Sequence, residues 1–94
     1  MKKIKIIIPV FNDWQSLSKL LENINNEISK LEVEISVIIV NDASTESRPE
    51  INLNLNNIKS IQVINMKENR GHARCIAAGL KYIFENEEFD HVIP

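Results

Sequence analysis

The sequence predicts an α/β protein, a mostly parallel sheet with helices flanking it, and three observations lead there. Ile4 to Val10 is a nearly uninterrupted aliphatic run, the pattern of a strand covered on both faces, and Glu34 to Val40 ends in a second apolar run from Val37. Helical spacing appears between strand-like segments, in the order β, α, β, loop, β, α, β, which favours parallel strands joined by right-handed crossovers. Both long runs also stop abruptly at polar residues, Asn12-Asp13 and Asn41-Asp42, as strand ends do where open α/β sheets bind ligands.

Each element has its own reason. After the first strand, Asn12 or Asp13 can cap a helix. Its apolar stripe runs through Trp14, Leu17, Leu20, Leu21, Ile24, Ile28 and Leu31, mostly three or four residues apart. The second strand is rich in Ile and Val. From residue 46 to 60 the pattern breaks at Pro49 and repeated asparagines; Ile51, Leu53 and Leu55 alternate with polar residues, as a short edge strand or an irregular loop would. Ile61 to Ile64 is a third strand. A polar connection, Asn65 to Gly71, leads to a helix from His72 to Asn86 with Ala73, Ile76, Ala77, Leu80, Ile83 and Phe84 on its buried stripe. Gly79 in that helix costs about 1 kcal/mol of propensity relative to alanine, so its presence points to close packing. Phe89 to Ile93 starts a fourth strand. Ending there would leave its neighbours with unpaired backbone groups, so the 94 residues are expected to be part of a larger domain.

Composition narrows the functional classes. With 44% hydrophobic and 26% charged residues and a net charge of −2, the chain has no basic run to suggest a nucleic-acid partner. Lys2-Lys3 precedes an apolar stretch interrupted by Pro9 with no cleavage site after it, and nothing approaches the roughly 20 apolar residues of a membrane span. A cytoplasmic location is the expectation, with any membrane association supplied by segments outside this chain. The single cysteine, Cys75, excludes an internal disulfide and reads as a small buried helix residue.

The candidate site lies at the strand ends. Asp42, following Val37-Ile38-Ile39-Val40-Asn41, can accept hydrogen bonds from a base or from ribose hydroxyls; Asn41, Asp42 and Ser44 can equally build a turn. Pro9, Phe11 and Asn12 offer backbone groups and a ring to a base, stacking being worth about 1–3 kcal/mol in nucleic-acid sites. Phe11 could instead pack inside. Asn69-Arg70-Gly71-His72-Ala73-Arg74 places two arginines at a helix start, where free amides suit a pyrophosphate. The spacing is neither a dinucleotide fingerprint nor a P-loop. His72 reads as solvated or capping, and Glu85, Glu87 and Glu88 as a solvated face.

Three ordered segments, Ile6-Ile7-Ile8-Pro9-Val10-Phe11-Asn12, Val37 to Thr45, and Asn69 to Leu80, resemble the amino-terminal half of family-two glycosyltransferases, inverting enzymes of the Rossmann-like GT-A fold. Together they span nearly the whole chain. The resemblance implies a nucleotide-diphosphate sugar as donor. Pro9, Phe11, Asn12 and Asp42 would lie at the nucleoside, and Asn69, Gly71 and Arg74 toward the nucleotide and its phosphates. Where the family usually has tyrosine this chain has Phe11, and where it often has two acids it has Asn41-Asp42.

The Asn-Asp-Trp helix entry and the Asn-x-Gly-His loop look most like the polyprenyl-phosphate sugar transferase subgroup, so the implied acceptor is a sugar or a polyprenyl phosphate. The family's metal acids, for Mg or Mn, and its catalytic base follow the strand beginning at Phe89, beyond Pro94. The chain is therefore expected to supply the donor-nucleotide half, to be inactive alone, and to self-associate through its open edge. The competing expectation is a non-catalytic nucleotide-binding or protein-interaction module. A receiver-like domain would want an acidic cluster and a strand-end lysine that the sequence lacks.

Overall fold

The computed structural model describes residues 1–46 and 54–94. The elements are β1 (Lys2–Val10), α1 (Trp14–Ile28), β2 (Val33–Asn41), β3 (Ser60–Asn65), α2 (His72–Asn86) and β4 (His91–Ile93). The four strands form one parallel sheet in the order β3-β2-β1-β4. The chain thus steps outward from β1 to β3, then returns across the sheet to place β4 on the other side of β1. Ile51 and Leu53 lie outside the described residues; Leu55 is half-buried and Ile58 buried in the turn leading into β3.

The two helices take opposite faces, which gives both crossovers the same hand. On one face Trp14, Leu17, Leu21 and Ile28 of α1 pack with Val10, Ile35, Val37 and Ile39. On the other, Cys75 and Ile83 of α2 pack with Ile7, Ile38 and Val40. β2 lies between two strands and two helices, and Ile35 to Val40 are all buried, Ser36 among them, which accounts for the aliphatic run from Val37 to Val40.

Several expectations need correction. The α1 stripe ends at Ile28, because the chain turns at Ser29 and Lys30; Leu31 falls in that turn and is exposed. In α2 the line nearest the sheet is Cys75, Gly79 and Ile83, with Ile76 and Leu80 beside it. Ala73 and Ala77 are exposed, and Phe84 stacks edge-on against Phe89 at 5.0 Å with most of its surface in solvent. The stripe is rotated because Gly79 is the point of closest approach. A Cβ there would stand 2.8 Å from Ile7 Cγ2. Glu87 is not fully solvated either: its carboxylate faces the buried Lys5 ammonium at 3.9 Å, across the junction of β1 with the end of α2.

Three loops joined at the carboxyl ends of the strands

Parallel pairing brings the ends of β1, β2 and β3 to one edge, with Val10 opposite Asn41 and Asn41 opposite Asn65. The loops that leave there, residues 11–13, 42–46 and 66–71, are tied together by side chains. Asn12 adopts a left-handed backbone, φ 62°, which asparagine tolerates better than most residues. Its amide donates to Ser44 Oγ at 2.9 Å, its side-chain amide donates to Thr45 Oγ1 at 3.0 Å, and its Oδ1 accepts from the Glu46 amide at 2.9 Å. Trp14 Nε1 adds a bond to the Glu46 carbonyl. Asp13, beside it, caps α1 by accepting from the Ser16 amide.

On the other side, Asn41 Nδ2 donates to Asn65 Oδ1 and Asn41 Oδ1 accepts from the Ser44 amide. Asp42 is the pivot. Its own amide continues the ladder to the Val10 carbonyl at 2.8 Å, and its side chain is 1% exposed. Oδ1 accepts from the Arg70 amide at 2.8 Å and Oδ2 from the Gly71 amide at 2.9 Å. Gly71, the residue before α2, has φ 87° and α2 has no side-chain cap; the carboxylate from β2 instead holds the turn that leads into the helix, through the Arg70 and Gly71 amides. These bonds hold the Asp42 pKa below the usual 3.8, the Arg70 amide contributing most. Desolvation opposes the shift, while the Gly71 amide, the Cys75 thiol and His72 add to it. Burial, with the neighbouring Asp42 charge, pushes the Cys75 thiol up to about 11.

The predicted residues therefore do not form a single cluster. Asp42, Asn69 and Gly71 form one hydrogen-bonded unit, Asn69 Nδ2 reaching the Asp42 carbonyl at 3.4 Å. Asn12 joins the β1 loop to the β2 loop. Pro9 and Phe11 instead line a cavity of about 400 Å³ where β1 meets α1, with Asp13, Ser16, Leu20 and His72 at its walls. The Phe11 ring does not pack inside; it is 42% exposed. Arg74 stands exposed on the first turn of α2 and forms no ion pair among the described residues, whereas Arg70 pairs with Glu68.

The two amides just before α2, those of Arg70 and Gly71, bond to Asp42. His72, read from the sequence as solvated or capping, is exposed and lines the cavity together with Pro9 and Phe11.

The cavity opens beside β1, where the strand order reverses. β4 pairs with Ile4 to Ile6 only, so the outer edge of Ile7 to Val10 has no strand partner among the described residues. Crevices at the carboxyl ends of strands next to such a reversal are where open α/β sheets bind ligands.

Residues 5–85 match the family described as glycosyl transferase family 2. The chain belongs to this family. It is 31% identical over 74 residues to undecaprenyl-phosphate 4-deoxy-4-formamido-L-arabinose transferase of Proteus mirabilis, covering 79% of this chain and 23% of that protein. It is also 32% identical over 89 residues to the minor teichoic acid biosynthesis protein GgaA of Bacillus subtilis, covering 89% of this chain and 19% of that protein. The chain thus spans about a fifth of the length of these relatives. No solved structure gave a significant match. The parallel α/β sheet with one helix on each face is the architecture expected of part of a GT-A domain of this family. No described helix is long and apolar enough to cross a membrane.

Proposed function

We propose that residues 1–94 form the donor-nucleotide half of a GT-A domain, and that the whole protein transfers a sugar from a nucleotide-diphosphate sugar to an acceptor with inversion. The observation that carries this reading is the joining of three strand-end loops beside an open cavity at the strand-order reversal. Family membership supports sugar transfer as the reaction. In this reading the exposed Phe11 ring, with Pro9 behind it, is the surface on which a base lies. Asn12 and Asp42 frame the nucleoside end, while Asn69, Gly71 and Arg74 lie toward the nucleotide and its phosphates. Arg74, exposed and without an ion pair among the described residues, can turn toward a diphosphate.

A lipid phosphate is the acceptor class favoured here, because one relative is named for undecaprenyl phosphate. An acceptor oxygen would attack the anomeric carbon as the nucleoside diphosphate leaves, which inverts that carbon. The family implies a divalent metal for the leaving diphosphate. The described residues do not fit one: no group of three or more His, Cys, Asp or Glu side chains could hold an ion. No step through a metal is assigned to this chain.

Calorimetric titration with UDP and GDP, with and without Mn, tests the proposal. Binding of one nucleotide, little improved by Mn, is the expected result, together with no sugar transfer above a matched blank. Absence of binding by a chain shown to be folded overturns the donor-site assignment for these residues. Self-association through the open edge of β1 is also expected, and light scattering from a clean monomer at high concentration would count against it.

A further inference from the structure

An acid at the end of β2 suggests a group that touches the ligand, and its surroundings indicate a different role. Asp42 is 1% exposed, and each carboxylate oxygen already accepts a backbone amide, at 2.8 and 2.9 Å. Its carbonyl holds the Asn69 side chain, and its amide is bonded to Val10. Asp42 therefore connects β1, β2 and the segment 69–71 that opens α2. Gly71 has no side chain with which to fix this turn itself.

We propose that Asp42 is a positioning residue: it latches the Asn69–Gly71 segment onto the end of β2, and any effect it has on a nucleotide runs through that segment and not through direct contact. The proposal rests on the donor-site reading only for its ligand arm. An ionised carboxylate accepts two amides at once, whereas an asparagine in the same place offers one oxygen and turns an NH₂ donor toward the second amide. Asp42→Asn thus keeps the shape and removes half of the latch. If the segment then holds its bound arrangement a tenth of the time, apparent nucleotide affinity falls about tenfold whatever groups the nucleotide carries.

Two measurements on the full 94-residue chain decide it. The first is amide hydrogen exchange. In the unaltered chain the Arg70 and Gly71 amides should exchange about as slowly as those inside α2, although Arg70 is exposed, and much more slowly than Lys67 and Glu68. In Asp42→Asn they should exchange at least about tenfold faster, with the β2 amides unchanged. Fast exchange at Arg70 and Gly71 in the unaltered chain overturns the latch without recourse to any variant.

The second is a cycle between residue and ligand group. Asp42→Asn is titrated with the nucleoside diphosphate that binds and with its 2′-deoxy, 3′-deoxy and base-methylated forms. A positioning role gives the same loss for every form, within about twofold. A loss that vanishes when one hydroxyl or base N–H is removed means that Asp42 bonds to that group, and the proposal fails. If no nucleotide binds the unaltered chain, the donor-site reading fails and hydrogen exchange alone decides the latch.

Discussion

Gly79→Ala should destabilise this protein although alanine is the better helix former. In an exposed helix the exchange gains about 1 kcal/mol of propensity. Here the added methyl would stand 2.8 Å from Ile7 Cγ2, 3.2 Å from Cδ1 and 3.3 Å from Cγ1. Cγ2 is bonded directly to Cβ of a β-branched residue and cannot swing aside without turning χ1. Ile7 is 2% exposed and packed among Cys75, Ile83, Ile38 and Val40, so no solvent-filled space receives it.

Overpacking of this kind costs roughly 1–3 kcal/mol, which leaves a net loss of up to about 2 kcal/mol after the propensity gain. For a domain of this size each 1 kcal/mol lost lowers Tm by about 4–8 °C. Urea unfolding followed by circular dichroism measures it. The sign should reverse when Ile7→Ala removes all three contacting atoms: Gly79→Ala in that background should then stabilise by about 1 kcal/mol. Because Ile7→Ala itself costs roughly 2–5 kcal/mol, the cycle is best run in trimethylamine N-oxide, which strengthens effective burial. A stability gain for Gly79→Ala in the unaltered chain would refute the packing argument.

Other consequences concern charge and the thiol. The Asp42 pKa is lower in the folded chain than the ordinary 3.8, so its contribution is present above about pH 4 and disappears as pH falls through the folded-state value. The urea midpoint of the unaltered chain should fall in that acid range more steeply than that of Asp42→Asn; equal slopes would contradict the assignment. Cys75, pushed up to about 11 from an ordinary 9.0, should at pH 8 carry roughly 100-fold less thiolate than a free thiol. A disulfide reagent should therefore label it at least that much more slowly in buffer than in urea, and Asp42→Asn should speed the labelling. Lys5 is buried beside Glu87, so Glu87→Gln should destabilise more than Lys5→Met by about 1 kcal/mol or more, since only the first leaves a buried charge alone. Melting temperatures of the two variants compare them directly.

What the sequence by itself determined was everything that depends on local periodicity. The apolar character of β1 and β2, the range of α2 from His72 to Asn86, a cap at Asn12 or Asp13 and the small residue at Cys75 all follow from neighbours within a turn or two; the structure chose Asp13. The tertiary structure alone decided which partner each side chain meets.

In the sequence Asp42 reads as a ligand contact or equally as a turn residue, and only the fold brings the amides of residues 70 and 71 to its two oxygens. Phe84 belongs to an apolar stripe, yet it faces outward because contact at Gly79 sets the rotation of α2. Lys5 sits unremarked in an aliphatic run, and its partner Glu87 stands 82 positions later. Periodicity reports that a face is buried; only the packed sheet reports against what, because those contacts depend on strand order and register, which no local pattern encodes.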